Sequence, residues 1–157
     1  MEWTSQLLAV ANAGLAMVLG GVIGFERELK NRPAGFRTHM LVAGAAALLV
    51  GVGQLMLTEP GIAGNDILRI DPLRLVEAVV AGVAFIGAGT IFARRADGAI
   101  AGITTAASLL MVATIGVASG FGQYLLATAA AVLTLLVLTV LRYFERDPPD
   151  TEPKAED

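Results

Sequence analysis

Long apolar runs separated by short charged segments dominate the chain. No Asp, Glu, Lys or Arg occurs in residues 7–25, 40–58 or 98–141, and residues 75–93 carry a single charge, Glu77. A charge-free apolar run of about 18 residues or more is typical of a helix that spans a bilayer. The pattern therefore predicts membrane-spanning helices over 7–25, 40–58 and 75–93.

The last apolar run is too long for one span. As a single helix, residues 98–141 would extend over roughly 66 Å, about twice the hydrocarbon thickness of a bilayer. Two glycines, a serine and a glutamine interrupt the run at 119–123, and such a cluster marks a turn. We therefore predict a fourth span near 99–119 and a fifth near 124–141, which makes the fold an all-α polytopic bundle of five transmembrane helices.

The chain divides into two predicted parts. Residues 1–141 form the transmembrane domain. Residues 142–157 are charged, contain prolines and have few large apolar side chains. A segment of this composition cannot bury enough apolar surface to fold, so we expect a disordered, charged cytoplasmic tail.

The basic residues are distributed unevenly between the predicted loops. With five spans, nine of the eleven Lys and Arg residues lie on the side of 26–39, 94–98 and the tail, and only Arg69 and Arg74 lie on the other side. Short loops that face the cytoplasm are enriched in Lys and Arg. We therefore expect the amino terminus outside and the carboxyl terminus in the cytoplasm.

Composition agrees with a membrane protein and excludes several other classes. The chain of 157 residues is 55% hydrophobic and 16% charged, compared with about 25% charged in an ordinary soluble domain. No segment is basic enough to predict a nucleic-acid partner. The absence of cysteine excludes disulfides and thiolate metal sites, and the single histidine, His39, excludes a multi-histidine centre. We expect no enzyme and identify no catalytic residue.

The charged loop after the first span has two interpretations. In the first, it is a cytoplasmic anchor with a Pro-Ala-Gly turn, and Thr38 caps the second helix. In the second, Glu26 and Glu28 form a fixed ion-pair network with Arg32 and Arg37, which is more than anchoring requires. Such a cluster can bind anionic lipid head groups or an acidic partner.

A few polar residues of the spans fall into one predicted layer near the outer interface. The helical rise places Asn12, Gln54 and Glu77 there. The residues that border this layer are Asp71, Arg74, Ser119 and Gln123. Polar groups in a membrane are energetically costly, so the layer predicts either a hydrogen-bond network, with Glu77 paired to Arg74, or a small external cation site. The candidate ligands for Mg²⁺ are Asn12, Asp71 and Glu77, because Mg²⁺ prefers oxygen ligands and retains several waters.

Small residues recur at four-residue spacing within the spans, as in Gly20 to Gly24, Ala47 to Gly51 and Ala78 to Gly82. Small residues let helix backbones approach closely in lipid. The pattern predicts packing within the bundle, and the alternative is a seam between two copies of the chain.

Three ordered motifs resemble the MgtC/SapB family of bacterial inner-membrane proteins. The first is E-R-E-x-x-x-R-P-A-G-x-R-T-H over 26–39. The second is D-P-L-R over 71–74, which leads into G-V-A-F-I-G-A-G over 82–89. The third is G-I-T-T-A-A-S over 102–108. The resemblance implies a set of motif or binding residues: Glu26, Arg27, Glu28, Arg32, Pro33, Gly35, Arg37, Thr38, His39, Asp71, Arg74, Gly82, Gly87, Gly89, Gly102, Thr104 and Thr105.

The resemblance also implies a function. It covers the membrane domain and ends before the soluble carboxy-terminal domain of longer members. It implies a non-enzymatic regulator of membrane energetics and of adaptation to low magnesium, associated with virulence in pathogens, that binds membrane partners or lipids. The expected partners are the bilayer and another membrane protein, with a homo-oligomer as an alternative. No cofactor is expected apart from Mg²⁺ in the cation-site hypothesis. The alternative function is an oligomeric transporter of Mg²⁺ or another cation.

Overall fold

Five helices make up the part of the chain that the computed structural model describes, which is residues 3–58, 71–92 and 102–144. They are α1 Trp3–Leu29, α2 Phe36–Leu57, α3 Pro72–Phe92, α4 Ile103–Gly120 and α5 Tyr124–Phe144. Helices α1 to α4 are long and apolar enough to cross a bilayer, and α5 carries a shorter apolar segment, Tyr124–Val140. The predicted all-α membrane bundle is confirmed, whereas the side on which each terminus lies stays a prediction.

Helix α2 begins earlier than its apolar run. Gly35 precedes its first turn in an extended conformation, and the Glu28 carboxylate accepts a hydrogen bond of 2.8 Å from the Phe36 backbone N–H. A Cβ on Gly35 would lie 2.8 Å from Glu28 Oε2. The prediction that Thr38 caps this helix is therefore wrong, because the preceding turn brings a carboxylate of α1 to the first free N–H group.

The predicted break between the fourth and fifth spans is confirmed. Helix α4 ends at Gly120 and α5 starts at Tyr124. Gly122 between them has a φ of 73°, in the left-handed region that glycine adopts without steric cost. Helix α5 extends to Phe144, beyond the predicted domain boundary at 141, and residues 145–157 lie outside the described part of the chain.

Helix α4 is at the centre of the bundle, where it contacts all four other helices. Helices α1 and α2 pack against each other and against α4, α5 contacts α1 and α4, and α3 contacts α2 and α4. Close approach between helices depends on glycine: a Cβ on Gly20 would lie 2.8 Å from the Ala43 Cβ, and one on Gly120 would lie 2.8 Å from the Ala47 carbonyl oxygen.

The small residues of α3 do not follow this rule. Gly82 has no atom within 4 Å of an added Cβ, and Ala78 is exposed. The prediction of intramolecular packing is confirmed for Gly20, Gly24 and Gly51 but is wrong for Ala78 to Gly82. Helix α3 presents other residues, Val79, Val83 and Gly87, to the bundle.

Candidate functional site

A buried polar cluster lies at the end of the bundle where α1 connects to α2 and where α4 starts, which we call the basic end. Arg27 of α1 is only 4% exposed, and its Nη2 donates a hydrogen bond of 3.2 Å to Thr105 Oγ1 of α4. His39 of α2 is fully buried. A charged or polar group is stable in such a place only when its hydrogen bonds are satisfied, so these contacts fix three helices relative to one another.

Both ring nitrogens of His39 have a partner, one at the start of its own helix and one on α4. Its Nδ1 lies 2.9 Å from the Gly35 carbonyl oxygen, and its Nε2 lies 3.1 Å from Ser108 Oγ. Because a carbonyl oxygen only accepts, Nδ1 carries a proton. The Ser108 hydroxyl is also within 2.8 Å of the Thr105 carbonyl oxygen. Arg27, Thr105, Ser108 and His39 therefore form one connected network, called the His39 cluster below.

Glycines of α1 make room for this cluster. A Cβ on Gly24 would lie 2.8 Å from the Gly35 carbonyl oxygen and 2.8 Å from the His39 Cβ, and one on Gly20 would lie 2.7 Å from the His39 carbonyl oxygen. The four-residue spacing of the two glycines places both on one face of α1. The backbone of α2 can therefore approach α1 closely enough to direct His39 toward α4.

The acidic residues of the first motif pair differently from the predicted network. Glu26 forms an ion pair with Lys30, and the Lys30 Nζ also donates to the Leu138 carbonyl oxygen of α5 at 3.3 Å. Arg32 and Arg37 are exposed, and neither forms an ion pair within the described residues. The helical spacing of Glu26 and Lys30 favours their contact, so the prediction of a network with Arg32 and Arg37 is wrong.

The second and third motifs meet at the contact of α3 with α4. Gly102 precedes α4 with a φ of 95°, and an added Cβ would lie 2.8 Å from the Thr90 carbonyl oxygen. A Cβ on Gly87 would lie 3.2 Å from the Ala106 Cβ. Gly89, by contrast, has open space around it. Gly87 and Gly102 are therefore packing residues of this contact.

The predicted motif residues separate into three groups. Arg27, Gly35, His39 and Thr105 meet in the His39 cluster, with Glu26 and Glu28 beside it. Gly87 and Gly102 lie at the contact of α3 with α4. The remainder lie at exposed or half-buried positions: Arg32, Pro33, Arg37, Thr38, Asp71, Arg74, Gly82, Gly89 and Thr104.

A second polar site lies at the opposite end of the bundle. Asn12, which is 6% exposed, donates from Nδ2 to the Gly120 carbonyl oxygen at 3.5 Å, and its Oδ1 accepts from the Tyr124 hydroxyl at 2.9 Å. Ser5, Asn12, Gln54 and Thr58 contribute polar groups to a cleft of about 210 Å³ between α1 and α2. We call this the α1/α2 cleft.

Of the acidic candidates for a cation site, Glu77 lies on α3 and Asp71 directly precedes this helix. Glu77 and Asp71 are exposed, and Asp71 Oδ1 accepts the Leu73 backbone N–H at 2.9 Å. No ion pair joins Glu77 to Arg74. Over residues 3–58, 71–92 and 102–144, no three His, Cys, Asp or Glu residues cluster as metal ligands. The hydrogen bonds of Asn12 lead to α4 and α5, and not to the carboxylates of Asp71 or Glu77. Magnesium binding by these three residues stays a prediction.

Three residues absent from the predicted site have central contacts. Ser108 completes the His39 cluster, Lys30 joins α1 to α5, and Tyr124 holds Asn12. The spacing of Lys30 from Glu26 could have indicated its ion pair. The roles of Ser108 and Tyr124 depend on contacts between residues far apart in sequence, which spacing does not reveal.

The fold and the polar clusters define a polytopic helical membrane protein whose buried polar groups join its helices. The chain matches the MgtC family over residues 14–147, and it belongs to that family. Its relatives are bacterial, so it is a bacterial membrane protein. No solved structure matches it.

Three relatives illustrate the match. YhiD of Escherichia coli K12, named as a candidate magnesium transporter, is 40% identical over 126 residues, which cover 80% of this chain and 57% of YhiD. SapB of Bacillus subtilis is 36% identical over 93% of this chain and 62% of SapB. MgtC of Brucella abortus is 36% identical over 90% of this chain and 55% of MgtC. The chain thus spans less than two thirds of the length of these relatives.

Proposed function

We propose that this chain is a non-enzymatic regulator in the bacterial inner membrane that binds another membrane protein through the lipid-facing surface of α3. In this proposal, its role is in membrane energetics and adaptation to low magnesium. The observation that supports it is the exposure of α3, which buries only Val79, Val83 and Gly87.

The exposed face of α3 has the properties of a helix-binding surface. Ala78, Gly82, Phe85 and Gly89 are all exposed, and the helical repeat places them within a narrow stripe. Phe85 is 83% exposed, and neither glycine has an atom within 4 Å of an added Cβ. Small residues allow another helix to approach closely, and Phe85 offers it a large apolar contact.

The His39 cluster supports a structural role and argues against catalysis. Ser108 and His39 lie within hydrogen-bond distance, as in a nucleophile and base pair, but they are 3% and 0% exposed. The Ser108 hydroxyl is also hydrogen-bonded to its own helix. A nucleophile must reach its substrate, and this one is enclosed between helices.

Site-specific photocrosslinking in bacterial membranes tests the proposal. A photoreactive phenylalanine analogue at Phe85 is expected to capture one defined membrane protein in cells grown at low magnesium. The same analogue at Leu125 of α5, which is 86% exposed, is the matched control and is expected to capture none preferentially.

A second variant connects capture with function. A Cβ on Gly82 would have no atom within 4 Å, so Gly82→Leu should fill the stripe on α3, and the expected result is a folded protein that loses both the crosslink and growth at low magnesium. Equal capture from Phe85 and Leu125, or normal growth of Gly82→Leu cells, would contradict the proposal.

Cation transport is the second candidate function, and the α1/α2 cleft favours it. Asn12 provides a buried amide there. Among the acidic residues, Glu77 is the one whose predicted depth in the membrane is nearest to that of Asn12. Purified protein in liposomes with an internal Mg²⁺ dye distinguishes the two functions. Saturable uptake that Glu77→Gln abolishes would support transport and magnesium binding, whereas no uptake together with capture at Phe85 would support the regulator.

A further inference from the structure

A groove between α4 and α5 opens toward lipid near the basic end. It measures about 260 Å³, and its walls include Ala107 and Met111 of α4 and Leu133 and Val137 of α5. All four of these side chains are exposed. Helices α4 and α5 lie in the membrane, so the material available to fill such an apolar groove is hydrocarbon.

The dimensions of this α4/α5 groove suit one acyl chain. It begins at Thr104, in the first turn of α4, and continues to Met111. Seven residues of helix correspond to about 10 Å, compared with about 15 Å for half of the hydrocarbon core. The groove therefore follows the part of an acyl chain nearest the head group, in the leaflet at the basic end.

A cationic group lies beside the groove. Leu138 belongs to its wall, and the carbonyl oxygen of Leu138 accepts a hydrogen bond from Lys30 Nζ at 3.3 Å. An ammonium group has three donors, and the second contact of Lys30 is its ion pair with Glu26. One donor therefore remains, and the Lys30 side chain is 23% exposed.

The charge of the surrounding segment is complementary to an anion. Residues 26–39 contain four cations and two carboxylates, and the Arg32 and Arg37 side chains are exposed. Basic segments at the membrane surface attract anionic lipids, with about 1 kcal/mol for each Lys or Arg near the surface. The α4/α5 groove and the cations together match the two chemically different ends of an anionic phospholipid.

We propose that the α4/α5 groove binds an anionic phospholipid, with one acyl chain between α4 and α5 and the phosphate on Lys30. The site does not depend on the partner surface proposed above, which is on α3. The described parts of α3 and α5 do not contact each other, so either proposal can fail without the other.

Quenching of tryptophan by brominated lipid tests this site. The chain has one tryptophan, Trp3, so Trp3→Phe removes the background. The double variant with Leu133→Trp places a reporter in the groove. The matched control with Val132→Trp places one at the same depth, because Val132 is 51% exposed and the helical repeat directs it away from the groove.

The probe is a minor fraction of dibrominated phosphatidylglycerol in phosphatidylcholine vesicles, with dibrominated phosphatidylcholine as the reference. At Leu133→Trp, we expect apparent affinity for phosphatidylglycerol to exceed that for phosphatidylcholine by about fivefold. At Val132→Trp, the two lipids should quench equally. Equal quenching by both lipids at Leu133→Trp, or the same preference at both reporters, would overturn the proposal.

Charge variants locate the head group. With the Leu133→Trp reporter, Lys30→Gln should lower the apparent affinity for phosphatidylglycerol to that for phosphatidylcholine. Lys30→Arg should retain the preference for phosphatidylglycerol. Glu26→Gln should increase the preference, because it removes the carboxylate beside the ammonium group. A preference that survives Lys30→Gln would overturn the assignment of the phosphate to Lys30. Quenching by phosphatidylcholine, which should stay constant, reports that each variant is folded.

Discussion

Helices α3 and α4 have similar apolar compositions but very different environments. In the most apolar segment of each helix, 56% of the residues are buried in α4 and 17% in α3. Helix α4 contacts every other helix, and α3 contacts two. Hydropathy alone therefore does not distinguish a helix that organises the bundle from one that mainly contacts lipid.

The glycines of the two regions explain the difference. On α1 and α4, added Cβ atoms at Gly20 and Gly120 would come within 2.8 Å of neighbouring helices, whereas at Gly82 and Gly89 of α3 they would meet nothing within 4 Å. The same residue type closes a helix contact in one region and leaves a surface open in the other.

The largest expected effect is at a closed glycine contact. Gly20→Ala places a Cβ 2.7 Å from the His39 carbonyl oxygen, and overpacking of this kind costs about 1–3 kcal/mol. Gly82→Ala should be neutral or stabilising by up to about 1 kcal/mol, because alanine is the better helix former. Unfolding by sodium dodecyl sulfate in mixed micelles measures both free energies. Equal losses in the free energy of unfolding at the two positions would contradict the distinction between a glycine in a closed helix contact and a glycine on an open surface.

The His39 cluster should show an effect of similar size. Thr105→Val removes the acceptor of the Arg27 guanidinium, and hydrogen bonds to charged groups contribute about 1.5–3 kcal/mol. Thr114→Val is the same substitution at an exposed position of α4, and it should change stability by less than about 0.5 kcal/mol. The same unfolding measurement applies. A similar loss at Thr114 would show that the effect arises from helix propensity.

A smaller effect is expected at the opposite end of the bundle. Tyr124→Phe removes the hydrogen bond to Asn12 Oδ1 and should cost about 1 kcal/mol. Asn12→Ala tests the same contact, and the double variant should lose less than the sum of the two single losses. Strict additivity in this double-mutant cycle would mean that the two side chains do not interact.

The smallest effect is expected on the open face of α3. Phe85→Ala should alter the free energy of unfolding by less than about 0.5 kcal/mol, because the ring is 83% exposed. Val83→Ala, on the buried face of the same helix, should cost more because it removes packed methyl groups. A large loss for Phe85→Ala in monomeric protein would show that α3 packs through this face.

The sequence was most informative where physical chemistry is local. Apolar runs and the glycine-containing break at 119–123 predicted the five helices, and the family resemblance of the motifs indicated the residues around Arg27 and His39. Partner choice was predicted less well. One of the two interpretations of the charged loop paired Glu26 and Glu28 with Arg32 and Arg37, but Lys30, directly after the end of α1, is the partner of Glu26.

What the sequence determined by itself is the solvent, the number of helices and the family. The solvent and the number of helices follow from apolar runs that act over one helix, because about 20 apolar residues in a row must lie in a bilayer. The family follows from the resemblance of the three ordered motifs. Only the tertiary structure decided which small residues form contacts and which polar groups meet. Whether another helix occupies the space beside a glycine, and whether His39 reaches Ser108, depends on which helix lies opposite.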